Sequence, residues 1–256
     1  MKSQCSIVIL AVLATVAQAE PAAKPVSGTL FVYCAAGVKA GIEKVAEQFE
    51  KETGVKVALS YANSGQLLGQ IETSRRGDVY VPGDIGFAAK AEERHLTTGK
   101  PRVFCYFVPA LYVRKGNPKG IRGVTDLTRP GLKVVLADRS AAIGELQAAI
   151  FKTNGVDEAA IQRNVVASPA TVIEVALAIK MGTADVGMVW DALASYAPDD
   201  AEMVPIAGAK NVIGLVPATV LASSANVPAA EAFLDYLVSD PGRAILRRRG
   251  FAVDKP

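Results

Sequence analysis

The apolar residues of the chain recur with two different periods near the amino terminus. Residues 29–34 form a short, nearly continuous apolar run, whereas residues 39–53 place Ile42, Val45 and Phe49 at helical spacing. The run predicts a buried strand, and the spaced residues predict a helix with one apolar face. A strand followed directly by such a helix is the basic unit of α/β proteins.

The same unit occurs a second time in the residues that follow. A second strand is predicted at 55–61 and a second helix at 66–74, with small-residue turns at Ala35-Ala36-Gly37 and Asn63-Ser64-Gly65. The first turn of a helix offers unpaired N–H donors and the positive end of the peptide dipoles, so it holds anions. Two such turns at one edge of a sheet predict a crevice that binds a small oxyanion through backbone groups.

Strands and helices continue to alternate in the rest of the chain. Further strands are predicted at 78–81, 102–114, 133–137, 184–190 and 218–222, and further helices at 85–94, 145–154, 171–181, 229–238 and 241–249. This order predicts an α/β fold of two lobes, each a mostly parallel sheet flanked by helices. Ligands of such folds bind at the carboxyl ends of the strands, here in the cleft between the lobes.

The long β-rich run at 102–114 has the length of a strand that leaves one lobe and enters the next. The segment at 218–222 then returns the chain to the first lobe. We therefore predict that lobe I comprises residues 28–107 plus 217–256, and that lobe II comprises residues 108–216.

The first nineteen residues have the pattern of an export signal. Lys2 is followed by an apolar run at 7–16 and by the small-x-small sequence Ala17-Gln18-Ala19. Residues 1–19 therefore predict a secretory signal peptide, with a membrane anchor as the alternative, although the run is short for a spanning helix. The mature protein is expected in the periplasm.

Composition and charge narrow the function classes. The whole chain has 28 Lys and Arg against 25 Asp and Glu. Without Lys2 the mature balance is 27 against 25, which argues against nucleic acid or a membrane surface as partner. The one histidine, His95, ends a charged helix, and no nucleophile with a base, metal-ligand spacing or phosphate loop is present. We expect no enzyme activity, no cofactor and no metal ion held directly by side chains.

Two cysteines, Cys34 and Cys105, remain after the signal peptide. In an oxidising compartment such a pair can form a disulfide. Cysteines in apolar strands are equally well explained as buried thiols. Both interpretations stay open at the level of the sequence.

Several short motifs follow one another in a fixed order between Leu30 and Phe251. They are Val32-Tyr33-Cys34-Ala35-Ala36-Gly37, Asn63-Ser64-Gly65-Gln66-Leu67, Gly77-Asp78-Val79-Tyr80, Ala137-Asp138-Arg139, Asp185-Val186-Gly187-Met188-Val189-Trp190 and Ala232-Phe233-Leu234-Asp235-Tyr236-Leu237 with Gly250-Phe251. In this order they resemble the molybdate- and tungstate-binding periplasmic proteins of ABC importers, which are type II solute-binding proteins.

The resemblance implies a ligand site built from five places in the chain. They fall at Gly37, Ser64, Gly144, Val172 and Trp190. The family has a serine where this chain has Gly37, and a tyrosine where it has Trp190. An indole donates a hydrogen bond but accepts none, which suits a fully deprotonated oxyanion. Lys39 or Arg139 is a candidate to replace the lost hydroxyl.

The resemblance also implies what the protein does. It predicts a monomer that captures molybdate or tungstate and delivers it to the membrane permease of an ABC importer. One alternative is binding of a different oxyanion or of a soft ligand, because Cys34 directly precedes the first turn. Another is a sensing subunit that reports to a membrane receptor.

Overall fold

The computed structural model describes residues 27–196 and 199–256, so the predicted signal peptide lies outside the described residues. The described strands are β1 (Thr29–Ala35), β2 (Lys56–Ala62), β3 (Val79–Val81), β4 (Thr97–Phe107), β5 (Pro109–Arg114), β6 (Val134–Val135), β7 (Val165–Ala167), β8 (Val186–Trp190), β9 (Ala201–Pro205) and β10 (Gly214–Leu221). The described α-helices are α1 (Lys39–Thr53), α2 (Ser64–Ser74), α3 (Ile85–Glu93), α4 (Ala142–Thr153), α5 (Glu158–Gln162), α6 (Val172–Lys180), α7 (Val227–Val238) and α8 (Asp240–Arg248).

The strands form two five-stranded sheets with helices packed against them. The first sheet has the order β2-β1-β3-β10-β4, and the second has the order β7-β6-β8-β5-β9. Helices α1, α2, α3, α7 and α8 pack on the first sheet, whereas α4 and α6 pack on the second. We call the first sheet with its helices lobe I and the second lobe II. The predicted two-lobed α/β fold is confirmed.

Each sheet is mixed, because one strand in each runs antiparallel to the other four. In the first sheet only β10 runs against the other four strands, and in the second only β5 does. These are the two strands by which the chain enters a sheet directly from the other lobe. They have no crossover helix before them, and such a helix is what usually lets a strand join its neighbour in parallel.

The predicted crossing segment divides at one residue. The run at 102–114 becomes the end of β4 in lobe I and the whole of β5 in lobe II, with Val108 between them. The return strand β10 begins at Gly214, four residues before the predicted 218–222. The short elements α5, β7 and β9 were not predicted, because their runs are too short to show a period. The predicted residue boundaries of the lobes stay our proposal.

Helix α1 shows how the apolar pattern forms the core of lobe I. Ile42, Val45 and Phe49 are buried, and the ring of Phe49 lies 5.2 Å from the ring of Phe233 on α7 in an edge-to-face contact. The helix ends at Gly54, whose φ of 77° lies in the left-handed region that glycine adopts without strain. No helix in the described part of the chain has the length and apolar character that crossing a bilayer requires.

The two cysteines are buried thiols in this structure. Cys34 lies on β1 and Cys105 on β4, with β3 and β10 between these strands in the sheet, and both residues are free. Burial raises the pKa of both thiols well above the ordinary value. The structure thus favours the interpretation as two buried thiols over the possible disulfide.

Candidate functional site

A small cavity lies between the lobes at the carboxyl ends of the strands. The cavity is small, with a volume of about 20 Å³. The cavity is lined by Ala35, Ala36, Gly37, Asn63, Ser64, Gly83, Phe107, Ala141, Ala142, Ile143, Ala170, Thr171, Val172 and Trp190.

The lining brings together four of the five site residues that were predicted. Gly37, Ser64, Val172 and Trp190 all contact the cavity, although they come from distant parts of the chain. The first two meet because β1 and β2 pair in parallel up to Ala35 opposite Ala62, so that both turns leave the sheet at the same edge. Two residues from each lobe therefore face one another across the cleft.

Gly144 is the exception, because it does not line this cavity. It lies one residue beyond the cavity-lining Ala142 and Ile143 in the first turn of α4. A side chain on Gly144 would come within 2.1 Å of the carbonyl oxygen of Asp138. The glycine thus lets α4 pack tightly against the preceding loop, and Ala141 to Ile143 take the predicted place in the lining.

Three helices begin at the cavity. They are α2 at Ser64, α4 at Ala142 and α6 at Val172, and the first residue of each contacts the cavity. No side chain among the described residues caps the start of α4, where the preceding residue is Ala141. The first N–H groups of a helix without a side-chain cap need another acceptor, and an anion supplies one.

Ser64 is held so that its hydroxyl hydrogen is free to donate. Its Oγ accepts a hydrogen bond from the N–H of Gly83 at 3.0 Å, and its carbonyl accepts one from the Tyr80 hydroxyl at 2.8 Å. The residue is only 1% exposed. The Gly83 N–H occupies one of the two lone pairs of Oγ, and no described residue accepts the hydroxyl hydrogen, so this hydrogen can be donated to an acceptor in the cavity that Ser64 lines.

Trp190 closes the cavity from lobe II. Its indole stacks on the ring of Phe107 at 4.2 Å between centroids, with 13° between the ring planes. The indole lies against the backbone of Gly37, since a side chain on that glycine would come within 2.8 Å of the indole nitrogen. Within the described residues, the indole N–H donates to no other group. It is therefore available to a ligand.

The other candidate donors lie outside the lining. Lys39 faces Glu43 on its own helix at 3.8 Å, and the Arg139 side chain pairs with Glu158 at 2.8 Å on the exposed surface. Cys34 is fully buried behind the first turn and does not line the cavity. The described part of the chain also contains no group of His, Cys, Asp or Glu residues placed to hold a metal ion.

Several residues that line the cavity were not predicted from the sequence. Gly83 follows β3 in a small-residue turn before α3, which is the same signature as the two turns that were recognised. Phe107 gave no signal, because only the folded chain brings it onto Trp190. The start of α4 was predicted three residues too late, since alanine at the capping position is not a helix-start signal.

Hydrogen bonds across the cleft hold the lobes together beside Ser64. The amide of Asn63 donates to the Ser140 hydroxyl at 3.1 Å, and the N–H of Gly65 donates to the Ser140 carbonyl at 3.0 Å. Asn63 also caps α2 by accepting the N–H of Gln66. The residues on either side of Ser64 are thus tied to the loop that precedes α4.

An ion pair between Lys90 on α3 and Glu145 on α4 also joins the lobes. The two side chains are 40% and 34% exposed, so the pair is worth about 0.2–1 kcal/mol. Lys90→Met is therefore expected to weaken anion binding by up to about fivefold at low salt, and much less at high salt. Calorimetry at two ionic strengths checks this. Lys44→Met, which breaks a pair within α1, is the control, and an equal effect of both variants would contradict the role of the lobe-joining pair.

Asp84 lies close to the cavity without lining it. Its carboxylate caps α3 by accepting the N–H of Gly86 at 2.8 Å. Burial raises the pKa of this carboxyl above its ordinary value, and the Glu145 carboxylate acts in the same direction. Asp191, which follows Trp190, also has its pKa raised by burial. Neither carboxylate contacts the space in which an anion would sit.

The raised pKa of Asp84 has a consequence for stability. A group whose pKa is raised by folding stabilises the fold at low pH, and this contribution is lost as the pH rises through the folded-state pKa. Asp84→Asn keeps the cap and removes the buried charge, so at neutral pH it should unfold at a higher urea concentration than the unaltered protein. The difference should shrink as the pH falls toward the ordinary value of 3.8. A variant that is less stable at every pH would contradict this prediction.

The fold and the donor-lined cleft define the class of two-lobed solute-binding proteins. The chain belongs to the family of bacterial extracellular solute-binding proteins, whose sequence model matches residues 30–252. The molybdate-binding protein ModA of Mycobacterium tuberculosis is 28% identical over 253 residues, which cover 96% of this chain and 95% of that protein. The predicted resemblance to molybdate-binding proteins is confirmed.

Solved structures of related binding proteins have the same fold. The periplasmic molybdate-binding protein of Azotobacter vinelandii matches with a TM-score of 0.73 and 20% identity, over 88% of this chain and 100% of that one. The sulfate-binding protein SubI of Mycobacterium tuberculosis matches with a TM-score of 0.79 and 20% identity, over 89% and 88%. At such identities the matches establish the fold and leave the ligand to be argued from the site.

Proposed function

We propose that this protein captures a fully deprotonated tetrahedral oxyanion, with molybdate or tungstate as the preferred ligand. The observation that carries the proposal is the chemistry of the lining. The lining offers the Ser64 hydroxyl, the Trp190 indole N–H and the first N–H groups of α4 and α6 as donors, and no carboxylate is among the lining residues. A set of donors around a space of this size suits a small anion.

A site made of hydrogen-bond donors discriminates between anions that carry a proton and anions that do not. Ser64 has already accepted a hydrogen bond from Gly83, and an indole accepts none. The side-chain oxygens of Asn63 and Thr171, which also line the cavity, each accept a backbone N–H, from Gln66 and from Glu174. The proton of a hydrogen phosphate or hydrogen arsenate would therefore find no side-chain acceptor that is not already engaged, and a poorly paired buried donor costs about 1–3 kcal/mol. Molybdate, tungstate and sulfate carry no proton at neutral pH, so they avoid this penalty.

Size separates the remaining candidates, because sulfate has the same charge as molybdate and a smaller radius. The extent of the match to ModA favours molybdate or tungstate. Sulfate is the second candidate, since it is also a fully deprotonated tetrahedral oxyanion and a sulfate-binding protein shares the fold. A different oxyanion remains the third outcome of the test.

The biological setting follows from the same proposal. The chain is exported to the periplasm by the signal at residues 1–19 and acts there as a monomer. Lobe I, residues 28–107 plus 217–256, and lobe II, residues 108–216, close on the anion and present their joint surface to the membrane permease of an ABC importer. Membership of the extracellular solute-binding family supports this role.

Calorimetry of the mature chain with molybdate, tungstate, sulfate, phosphate and arsenate tests the proposal. We expect one site per chain that binds molybdate or tungstate most tightly, and no measurable binding of phosphate or arsenate at neutral pH. Strongest binding of sulfate would keep the oxyanion function and replace the ligand. Binding of phosphate as tight as that of molybdate, or binding of none of the five anions, would overturn the proposal.

A further inference from the structure

Position 37 has no room for a side chain larger than that of glycine. It lies in a short 3-10 turn at Ala36–Val38, and its φ is not positive, so its backbone is one that any residue adopts. A Cβ at this position would lie 2.8 Å from the Trp190 indole nitrogen, 3.0 Å from its Cδ1 and 3.3 Å from the Phe107 ring. Contacts below 3.0 Å are essentially never made by a Cβ, so Trp190 is what excludes a side chain here.

The indole has little freedom to move away. Trp190 is 2% exposed and stacks on Phe107. Its backbone is paired with Pro109 at the start of β5, one residue after the crossing point between the sheets. Trp190 thus belongs to lobe II, while the backbone it covers belongs to the first turn of lobe I. The two residues meet across the cleft, and both line the cavity.

We propose that Gly37 and Trp190 act as one size-matched pair that determines which anion the cavity accepts. The large ring from lobe II fills the space that a side chain at position 37 would occupy, and its N–H supplies a donor at that side of the cavity. Neither residue can then be changed alone without altering the cavity. The inference rests on the proposed oxyanion function and deepens it by assigning the size filter to this pair.

The pair predicts strong non-additivity between two substitutions. Gly37→Ala adds the Cβ that meets the indole, so it should weaken molybdate binding at least about tenfold in the unaltered protein. Trp190→Tyr removes the wider ring and keeps a donor, so the same Gly37→Ala change should cost less than about threefold in that background. Contacting residues typically show such coupling, whereas distant residues add.

The same pair predicts a change in selectivity. Trp190→Tyr alone widens the cavity beside Gly37, so sulfate, the smaller anion, should lose more affinity than tungstate. The ratio of tungstate to sulfate affinity should rise at least about threefold. A fall in this ratio, or no change, would contradict the assignment of the size filter to the pair.

The experiment uses the mature protein, the two single variants and the double variant, each measured by calorimetry with molybdate, tungstate and sulfate. Gly69→Ala is the matched control, because a Cβ on Gly69 would meet no atom within 4 Å, and it should leave affinity unchanged. Urea unfolding without an anion is the second readout. Gly37→Ala should lower the midpoint more in the unaltered protein than in the Trp190→Tyr protein.

The two readouts separate this inference from the proposed function. If the unaltered protein binds none of the anions while unfolding still shows the coupling, the contact is real, but both the oxyanion function and the size filter are wrong. If the unaltered protein binds molybdate and Gly37→Ala costs the same in both backgrounds, by affinity and by unfolding, the pair is overturned and the function stands.

Discussion

Replacing Ser64 with alanine should weaken binding of the preferred oxyanion by about 10- to 100-fold. The Ser64 hydroxyl lines the cavity, and its oxygen already accepts the Gly83 N–H. Its hydrogen remains to be donated to an anion. A hydrogen bond to an ionised acceptor contributes about 1.5–3 kcal/mol, and each 1.4 kcal/mol is tenfold in affinity. Calorimetry or a fluorescence titration measures the loss directly.

Two further measurements make this result specific. Ser64→Ala also removes the acceptor of the buried Gly83 N–H, so urea unfolding without an anion should show a separate loss of about 1–3 kcal/mol. Ser168→Ala changes an exposed serine outside the cavity and should affect neither quantity. Unchanged anion affinity in Ser64→Ala would show that the hydroxyl does not contact the ligand.

Gly144→Ala should destabilise the protein, although glycine-to-alanine changes inside helices usually stabilise them. The new Cβ would lie 2.1 Å from the carbonyl oxygen of Asp138 and 2.9 Å from the Cα of Arg139, and backbone atoms cannot rotate out of the way. Overpacking of this kind costs about 1–3 kcal/mol. The urea midpoint should fall, and anion affinity should fall with it, because α4 carries Ala142 and Ile143 into the lining.

The control for this change is Gly69→Ala in α2, where the new Cβ meets no atom within 4 Å. It should stabilise the protein by about 0.5–1 kcal/mol and leave anion affinity unchanged. If Gly144→Ala were as stable as the unaltered protein, the close packing of α4 on the 138–140 loop would be wrong.

The part of the site that the sequence could predict is the part with a local signature. Gly37 and Ser64 were identified because each lies between an apolar strand and a helix with a clear period. The family resemblance added Val172 and Trp190, and the structure brings all four to one cavity. Gly83 carries the same local signature, a small residue between a buried strand and a helix, so its place in the site is also predictable from the sequence.

Contacts between distant segments were beyond prediction. Three such contacts join parts of the chain that only folding brings together. They are the stack of Phe107 on Trp190, the hydrogen bonds from Asn63 and Gly65 to Ser140, and the steric clash with Trp190 that a side chain at position 37 would make. The reversed directions of β5 and β10 arise in the same way, because they depend on where the chain changes lobes. Local periodicity contains no information about these contacts or about the direction of these strands.

The most direct test of oxyanion capture in this cleft uses the protein's own chromophore. Trp190 is the one tryptophan in the chain, and it lines the cavity. Titration of the mature protein with molybdate, corrected with free tryptophan in the same buffer, should give a saturable fluorescence change with one anion per chain. The curve should shift to 10- to 100-fold higher concentration in Ser64→Ala. A flat response to molybdate, tungstate and sulfate alike, or an identical curve in Ser64→Ala, would contradict the site proposed here.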